Sequence, residues 1–181
     1  MRQLSPFDEV NKQVSVMAEA KKIANELIVR FEVQDVDNQI VLPKKESIFS
    51  RTHELWKFTC FECFFAVKGL EEYWELNLDH HGNWNLYNFK KYRQPSPPVE
   101  EKRVKQLELE FLKKADGFEL QGHVDLKDLN LEDKPLEVSL NCVIEWKGEE
   151  NSFPEKSYYA LKHLGNKPDF HLRKSFVCSL E

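Results

Sequence analysis

Apolar and polar residues alternate along much of the chain, and this period of two is typical of half-buried β-strands. The clearest alternating runs cover residues 14–18, 27–33, 61–67, 118–126, 138–144 and 176–180. Turn-forming residues separate these runs, and residues 113–117 are predicted to form a hairpin between two of them. The pattern predicts an all-β fold of about ten strands, an antiparallel β-sandwich of the jelly-roll or immunoglobulin-like type.

Two segments depart from the alternating pattern. Residues 18–24 are good helix formers, but the run is short and fits either a helix or a turn between strands. Residues 94–98 hold three prolines, which cannot donate ladder hydrogen bonds, so we expect the sheet to be interrupted there. The chain of 181 residues shows no internal repeat, and we expect a single domain over residues 1–181.

Composition and charge narrow the classes of function. The chain is 41% hydrophobic, enough for a packed core, and its net charge of -5 argues against a nucleic-acid partner. No run of 18 apolar residues is present, so we expect no membrane span, and no secretory signal follows Met1. We therefore expect a cytoplasmic protein with reduced thiols.

The four cysteines do not have the spacing of a metal site. Cys60 and Cys63 form a C-x-x-C, but they lie on a predicted strand, where side chains three apart face opposite ways. Cys142 and Cys178 are 36 residues apart and add no second close pair. We expect buried thiols and no bound metal, with zinc as the alternative.

Aromatic and polar side chains concentrate in residues 51–93 and 157–171. Tyr73, Glu75 and Asn77 are predicted to share one face of a strand. Such a face suits a sugar, because aromatic rings contact its C–H faces while carboxylates and amides bind its hydroxyls. The candidate ligand-binding residues are Trp56, Glu62, Tyr73, Glu75, Asn77, Trp84, Tyr87 and Arg93.

Several of these residues also have a purely structural interpretation. Glu62 lies among apolar neighbours and fits either a ligand contact or a buried ion pair with Arg51 or Arg93. Trp56 and Trp84 fit either a stacking platform or the core. His163, Asp169 and His171 have donor atoms for a metal, but two ligands on one strand do not make a site.

The ordered motifs resemble those of bacterial DOMON-like domain proteins. The motifs are Leu55-Trp56-x-x-Thr59-Cys60-Phe61-Glu62-x-Phe64, Tyr73-x-Glu75-x-Asn77, Gly82-x-Trp84-Asn85-x-Tyr87, Tyr92-Arg93, Ser157-Tyr158-Tyr159-Ala160-Leu161 and Pro168-Asp169-Phe170-His171. That family is similar to carbohydrate-binding modules of family nine and to DOMON domains. The resemblance implies a β-sandwich that binds sugar or haem.

In the sugar-binding relatives, tryptophans clamp the sugar and a Glu with an Arg or Asn binds its hydroxyls. The resemblance places Trp56, Glu62, Glu75, Asn77 and Trp84 in these roles. Relatives also bind structural calcium through acidic residues, but Lys57 and Phe58 stand where acidic residues are usual.

Four hypotheses follow. The leading one is a non-catalytic module that binds a carbohydrate or another small molecule without a cofactor. The others are a protein-interaction or scaffolding domain without a small ligand, whose protein partner the sequence does not name, a haem-binding DOMON domain, and a glycosidase that uses Glu62 and Glu75.

Overall fold

The alternating runs form long antiparallel strands in a computed structural model, which describes residues 1–10, 13–42, 50–148 and 155–181. The strands of the described residues are β1 (Arg2–Gln3), β2 (Ser5–Pro6), β3 (Val14–Ile23), β4 (Glu26–Asp35), β5 (Cys60–Val67), β6 (Tyr73–Leu78), β7 (Trp84–Phe89), β8 (Val99–Glu100), β9 (Glu108–Lys114), β10 (Gly117–Asp125), β11 (Leu136–Glu145), β12 (Lys156–Ala160) and β13 (Cys178–Leu180). Three short 3₁₀ turns cover Leu55–Lys57, Leu126–Leu129 and Arg173–Ser175.

These strands form two sheets, and the predicted β-sandwich is confirmed. The smaller sheet has the order β1-β3-β4-β10-β9. The larger sheet has the order β2-β12-β11-β5-β6-β7-β8, and β13 pairs with β11. The strands exceed the predicted ten because β1, β2 and β8 contain only two residues each, too few to show an alternating pattern.

The core lies between the sheets, where each strand turns its apolar positions inward. Phe31 of the smaller sheet lies 5.2 Å from Phe61 of the larger sheet, and Phe61 lies 5.7 Å from Phe118, as measured between ring centroids. All three rings are almost completely buried. Pairs of this geometry stabilise beyond the area they bury, so they fix one sheet against the other.

The predicted hairpin at residues 113–117 is also confirmed, and it depends on a glycine. Gly117 begins β10 with φ of 150°, and a Cβ atom there would lie 1.9 Å from the carbonyl oxygen of Val33. Only glycine tolerates both this backbone conformation and this close approach. The turn therefore places β9 at the open edge of the smaller sheet.

Two local expectations differ from the structure. Residues 18–23 continue β3 as strand, because pairing with β4 overrides their helix propensity, and the turn comes at Ala24, whose φ is 51°. The proline-rich residues 94–98 form a loop, but β8 pairs with β7 after it, so the larger sheet is not interrupted. None of the described helices is long and apolar enough to cross a membrane.

Candidate functional site

The outer face of the larger sheet, which points away from the core, carries a row of buried polar side chains. Strand pairing aligns Asn85 with Asn77, Asn77 with Glu62, and Glu62 with Asn141. None of the four is more than 3% exposed. Asn85 bonds to Arg51 and Glu100, and Asn77 bonds to Glu75 and Cys60. Glu62 accepts no hydrogen bond from the described residues, and the Nδ2 of Asn141 has no partner there. Since buried polar groups lower stability unless they are paired, these are the two positions at which the row is unsatisfied.

A neighbouring row on the same face mixes polar and aromatic groups. Glu75 aligns with Tyr87 on one side and with Phe64 on the other, and Phe64 aligns with Ser139. Glu75 is 5% exposed, although it lies on the side of the sheet opposite the core. The loops that cover this face therefore bury it as fully as the smaller sheet buries the inner face.

A cavity of about 340 Å³ lies between this face and the loops. Its floor is formed by Glu62, Phe64, Glu75, Phe89 and Val143. The loops and β12 add Trp56, Arg93, Pro95, Ser96, Pro98, Tyr158, Pro168, Asp169, Phe170 and His171. A mostly apolar cavity of this size with a few convergent polar groups is typical of a small-molecule site.

The hydroxyl of Tyr73 connects the two loops that cover the cavity. The backbone N–H of Arg93 donates to this hydroxyl over 3.0 Å, and the same oxygen lies 2.8 Å from Nδ1 of His171. Because the oxygen accepts from Arg93, we assign its proton to the bond toward Nδ1, which leaves the ring proton of His171 on Nε2.

A second connection between the loops lies at the rim. The guanidinium of Arg93 pairs with Asp169 over 2.9 Å, and the hydroxyl of Tyr92 donates to the same carboxylate over 2.6 Å. These two donors hold the pKa of Asp169 below its ordinary value, against the opposing effect of burial. The rim therefore has one paired cation and one paired anion.

Burial raises the pKa of both carboxyl groups in the floor. The pKa of Glu62 lies well above its ordinary value, first because of burial and then because of Glu75. Burial raises the pKa of Glu75 to about 7, although Asn77 donates to it over 2.8 Å and Arg93 favours its ionised form. The pair therefore resists carrying two negative charges at neutral pH.

His171 does not neutralise this pair. Its Nε2 lies 3.7 Å from Oε2 of Glu75, but burial and then the charge of Arg93 lower the pKa of the imidazole to about 3. The imidazole is thus neutral at physiological pH, and its Nε2–H lies at the cavity wall. It is a hydrogen-bond donor there rather than a counter-ion.

The structure brings most of the predicted site residues to this one place. Trp56, Glu62, Glu75 and Arg93 line the cavity directly. Tyr73, Asn77 and Tyr87 lie on the same face and contact these groups. Tyr73 holds the loops, Asn77 donates to Glu75, and the ring of Tyr87 meets that of Trp56 edge-on at 5.4 Å.

Trp84 is placed elsewhere. It lies in the core between the sheets, and the guanidinium of Arg51 covers its ring at 4.1 Å. Arg51 bonds to Asn85 and to the carbonyl groups of Glu101 and Val104, so it forms no ion pair with Glu62. Of the two interpretations of Glu62, the ion pair with an arginine does not form among the described residues, because Arg93 pairs with Asp169 instead.

Metal ligands do not converge within the described residues. No group of three His, Cys, Asp or Glu side chains there is arranged to hold an ion. Cys63 and Cys142 lie in the core and Cys60 on the outer face, with all four cysteines present as free thiols. His163 contacts the carbonyl oxygen of Ser5 through its Nε2, whereas the Nδ1 of His171 contacts the hydroxyl of Tyr73.

Sequence reasoning missed three contributors to the site. From the sequence, His171 is a metal-ligand candidate and a motif residue, Phe170 is a motif residue, and Asn141 is not singled out. Asn141 has a completely buried side chain whose Nδ2 has no hydrogen-bond partner among the described residues. Its period-two alternation with Leu140 and Cys142 placed it opposite the core, which is the signal that could have identified it.

Comparisons with known proteins show the fold. No protein-family model and no curated protein matches the chain. The chain is similar to a crystal structure from Bacteroides uniformis that is provisionally assigned as carbohydrate-binding, with 14% identity, a TM-score of 0.63, and coverage of 98% of this chain and 84% of that one. It is also similar to a family 9 carbohydrate-binding module from Caldicellulosiruptor kristjanssonii solved with glucose, with 12% identity, a TM-score of 0.51, and coverage of 95% and 78%. The chain therefore shares the β-sandwich of these modules.

Proposed function

We propose that this chain is a non-catalytic carbohydrate-binding module that holds a saccharide in the cavity on its outer face. The observation that carries this proposal is an aromatic cavity whose floor contains two buried carboxyl groups, one of which accepts a hydrogen bond from the carboxamide of Asn77. A sugar ring presents C–H faces to aromatic side chains and hydroxyl groups to polar ones, so it matches both halves of this lining.

The similar proteins support the same proposal. The module from Caldicellulosiruptor kristjanssonii was solved in complex with glucose, and the Bacteroides protein is provisionally assigned as carbohydrate-binding. The narrower assignment to the DOMON-like family rests on the sequence motifs alone and stays a prediction. So does a cytoplasmic location, which fractionation of the source cells would test.

Titration calorimetry with a panel of mono- and oligosaccharides tests the proposal. We expect at least one sugar to bind, and Trp56→Ala to weaken that binding about tenfold or more, a loss of about 1.4 kcal/mol. Phe58→Ala is the matched control, because Phe58 is 50% exposed, follows the same 3₁₀ turn and does not line the cavity.

Two results would overturn this proposal. One is a panel in which no sugar binds to folded protein. The other is sugar binding that Phe58→Ala weakens as much as Trp56→Ala does, which would place the ligand outside the cavity.

A glycosidase is the second candidate, because Glu62 and Glu75 line one cavity and a glycosidase needs two carboxyl groups across one bond. Incubation with a panel of chromogenic glycosides separates the two functions. Turnover that disappears in Glu75→Gln would replace the binding function with a hydrolytic one, whereas binding without turnover supports the module.

The haem and interaction hypotheses gain less support from the geometry. Met17 lies on β3 in the smaller sheet, away from the cavity that His171 lines, so these residues do not provide a Met–His axial pair there. A domain that binds only other proteins would leave the cavity and its two carboxyl groups without a role. Spectra after haem addition and the sugar titrations test both hypotheses.

A further inference from the structure

The charges that line the cavity do not balance. Glu62, Glu75 and Asp169 are the acidic residues of the lining, and Arg93 is its one permanent cation within the described part of the chain. Arg93 and Asp169 pair with each other over 2.9 Å. His171 is kept neutral by burial, which leaves two carboxyl groups in the floor without a counter-ion.

These two carboxyl groups also have unused hydrogen-bonding capacity. Glu75 accepts one hydrogen bond from Asn77, at its Oε1 atom. Glu62 is only 3% exposed, lines the cavity and accepts no hydrogen bond from any of the described residues. In its ionised form each of these carboxyl groups has room for several donors, so the floor offers acceptor atoms that the described residues leave unused.

The walls suit a cation as well as a sugar ring. Trp56, Phe64, Phe89 and Phe170 surround the cavity, and the faces of aromatic rings attract an ammonium group electrostatically. An ammonium group also brings three hydrogen-bond donors and one positive charge, which are the two properties that the floor lacks.

We propose that the cavity is selective for a saccharide that carries an ammonium group, an amino sugar, and that Glu62 and Glu75 together form the ammonium site. This inference rests on the proposed carbohydrate-binding function and names the chemical class of its ligand. A neutral sugar supplies hydroxyl donors but no charge, and an acidic or phosphorylated sugar adds repulsion. Affinity should therefore follow the order amino sugar, neutral sugar, anionic sugar.

Titration calorimetry with three ligands of the same ring tests the order. The ligands are glucosamine, N-acetylglucosamine and glucose, measured at about pH 6.5, where the free amine is protonated. We expect glucosamine to bind at least about tenfold more tightly than the other two. In Glu62→Gln this preference should fall to less than about threefold, while Glu145→Gln retains it. Glu145 is a matched control, since it is buried on β11 outside the cavity.

The number of protons released on binding provides an independent test of the ammonium site. An ammonium group that binds beside the carboxyl pair displaces the proton the pair retains, so binding of glucosamine should release a proton and binding of glucose should not. Titrations in two buffers with different ionisation enthalpies measure this release. The titratable or charged groups that face the pair from the surrounding elements are Tyr73, Tyr87, Arg93, Asp169, His171 and Cys60.

The outcomes separate this inference from the proposed function. Equal or tighter binding of glucose or N-acetylglucosamine overturns the amino-sugar inference and leaves the carbohydrate-binding function standing. Failure of all sugars to bind overturns both. The comparison of ligands uses the unaltered chain, so it decides the question even if Glu62→Gln does not fold.

Discussion

The two faces of the larger sheet are equally buried, but they differ in chemistry. On β11, Leu140 points into the core between the sheets, and Asn141 points to the outer face beneath the loops, and both are 0% exposed. On β5, Phe61 and Glu62 show the same contrast. Apolar burial stabilises the fold, whereas a buried polar group without a partner, such as the Nδ2 of Asn141, lowers its stability, so the unpaired polar positions of the outer face point to a role other than stability.

The largest expected effect is on the free energy of unfolding, when the neighbours Leu140 and Asn141 are each changed to the other's residue type. Leu140→Asn should lower the free energy of unfolding by about 4 kcal/mol, because it removes buried apolar volume and adds an amide without partners. Asn141→Leu should change it by no more than about 1 kcal/mol, because the Nδ2 of Asn141 already lacks a partner and only one bond from Ser139 is lost. Urea unfolding measures both, and a loss in Asn141→Leu as large as that in Leu140→Asn would show that the polar row is structural.

The carboxyl pair should make stability depend on pH. The folded protein holds the pKa of Glu75 at about 7, above the 4.5 of an unperturbed carboxyl, so the folded state binds more protons across that interval. Stability should therefore fall as pH rises from about 5 to about 8, by about 1.4 kcal/mol for each unit of pKa shift, on the order of 3 kcal/mol from Glu75.

Glu75→Gln tests this source of pH dependence. Comparing variant and wild-type unfolding at about pH 5 and about pH 8 isolates the contribution of Glu75, because the opposite contribution of His171 cancels in the difference. We expect the fall in stability to shrink in Glu75→Gln and to persist in Glu145→Gln. If the dependence of stability on pH were unchanged in Glu75→Gln, Glu75 would be more accessible to water than its burial implies.

The smallest expected effect concerns the loops rather than the sheet. Tyr73→Phe removes the hydroxyl that bonds to Arg93 and His171, and it should cost about 1 kcal/mol of stability. The same change should weaken sugar binding several-fold, since both covering loops lose their shared anchor. Tyr159→Phe is the control, as this buried tyrosine donates to none of the described residues and lies in the core. If Tyr73→Phe and Tyr159→Phe had equal effects on stability and on sugar binding, Tyr73 would not be the anchor of the loops.

The alternating pattern identified both faces of the sheet but not what covers the outer one. Phe61, Cys63 and Phe65 alternate with Glu62 and Phe64, and the strands place them on opposite faces as predicted. The loop residues Phe170 and His171 reach Phe64 through a separation of more than a hundred residues, which no local pattern encodes.

The same alternating pattern is enough to assign Trp84 to one face of the larger sheet. Trp84 and Tyr87 are three residues apart on β7, so they cannot share a face, and Tyr87 belongs with Asn85 on the outer one. By residue type alone Trp84 fits either a stacking platform or the core, whereas the alternation along β7 assigns Trp84 to the core and Tyr87 to the outer face.

The order in which the cavity is assembled follows from where its parts lie in the chain. Strands β5, β6 and β7 form the floor through local hairpins, whereas the loop with Asp169 and His171 closes over it from near the end of the sequence. Contacts of such high sequence separation form late in folding. A bound ligand should therefore lower the unfolding rate and leave the refolding rate nearly unchanged. The ligand would lengthen the lifetime of the folded protein without making the protein fold faster.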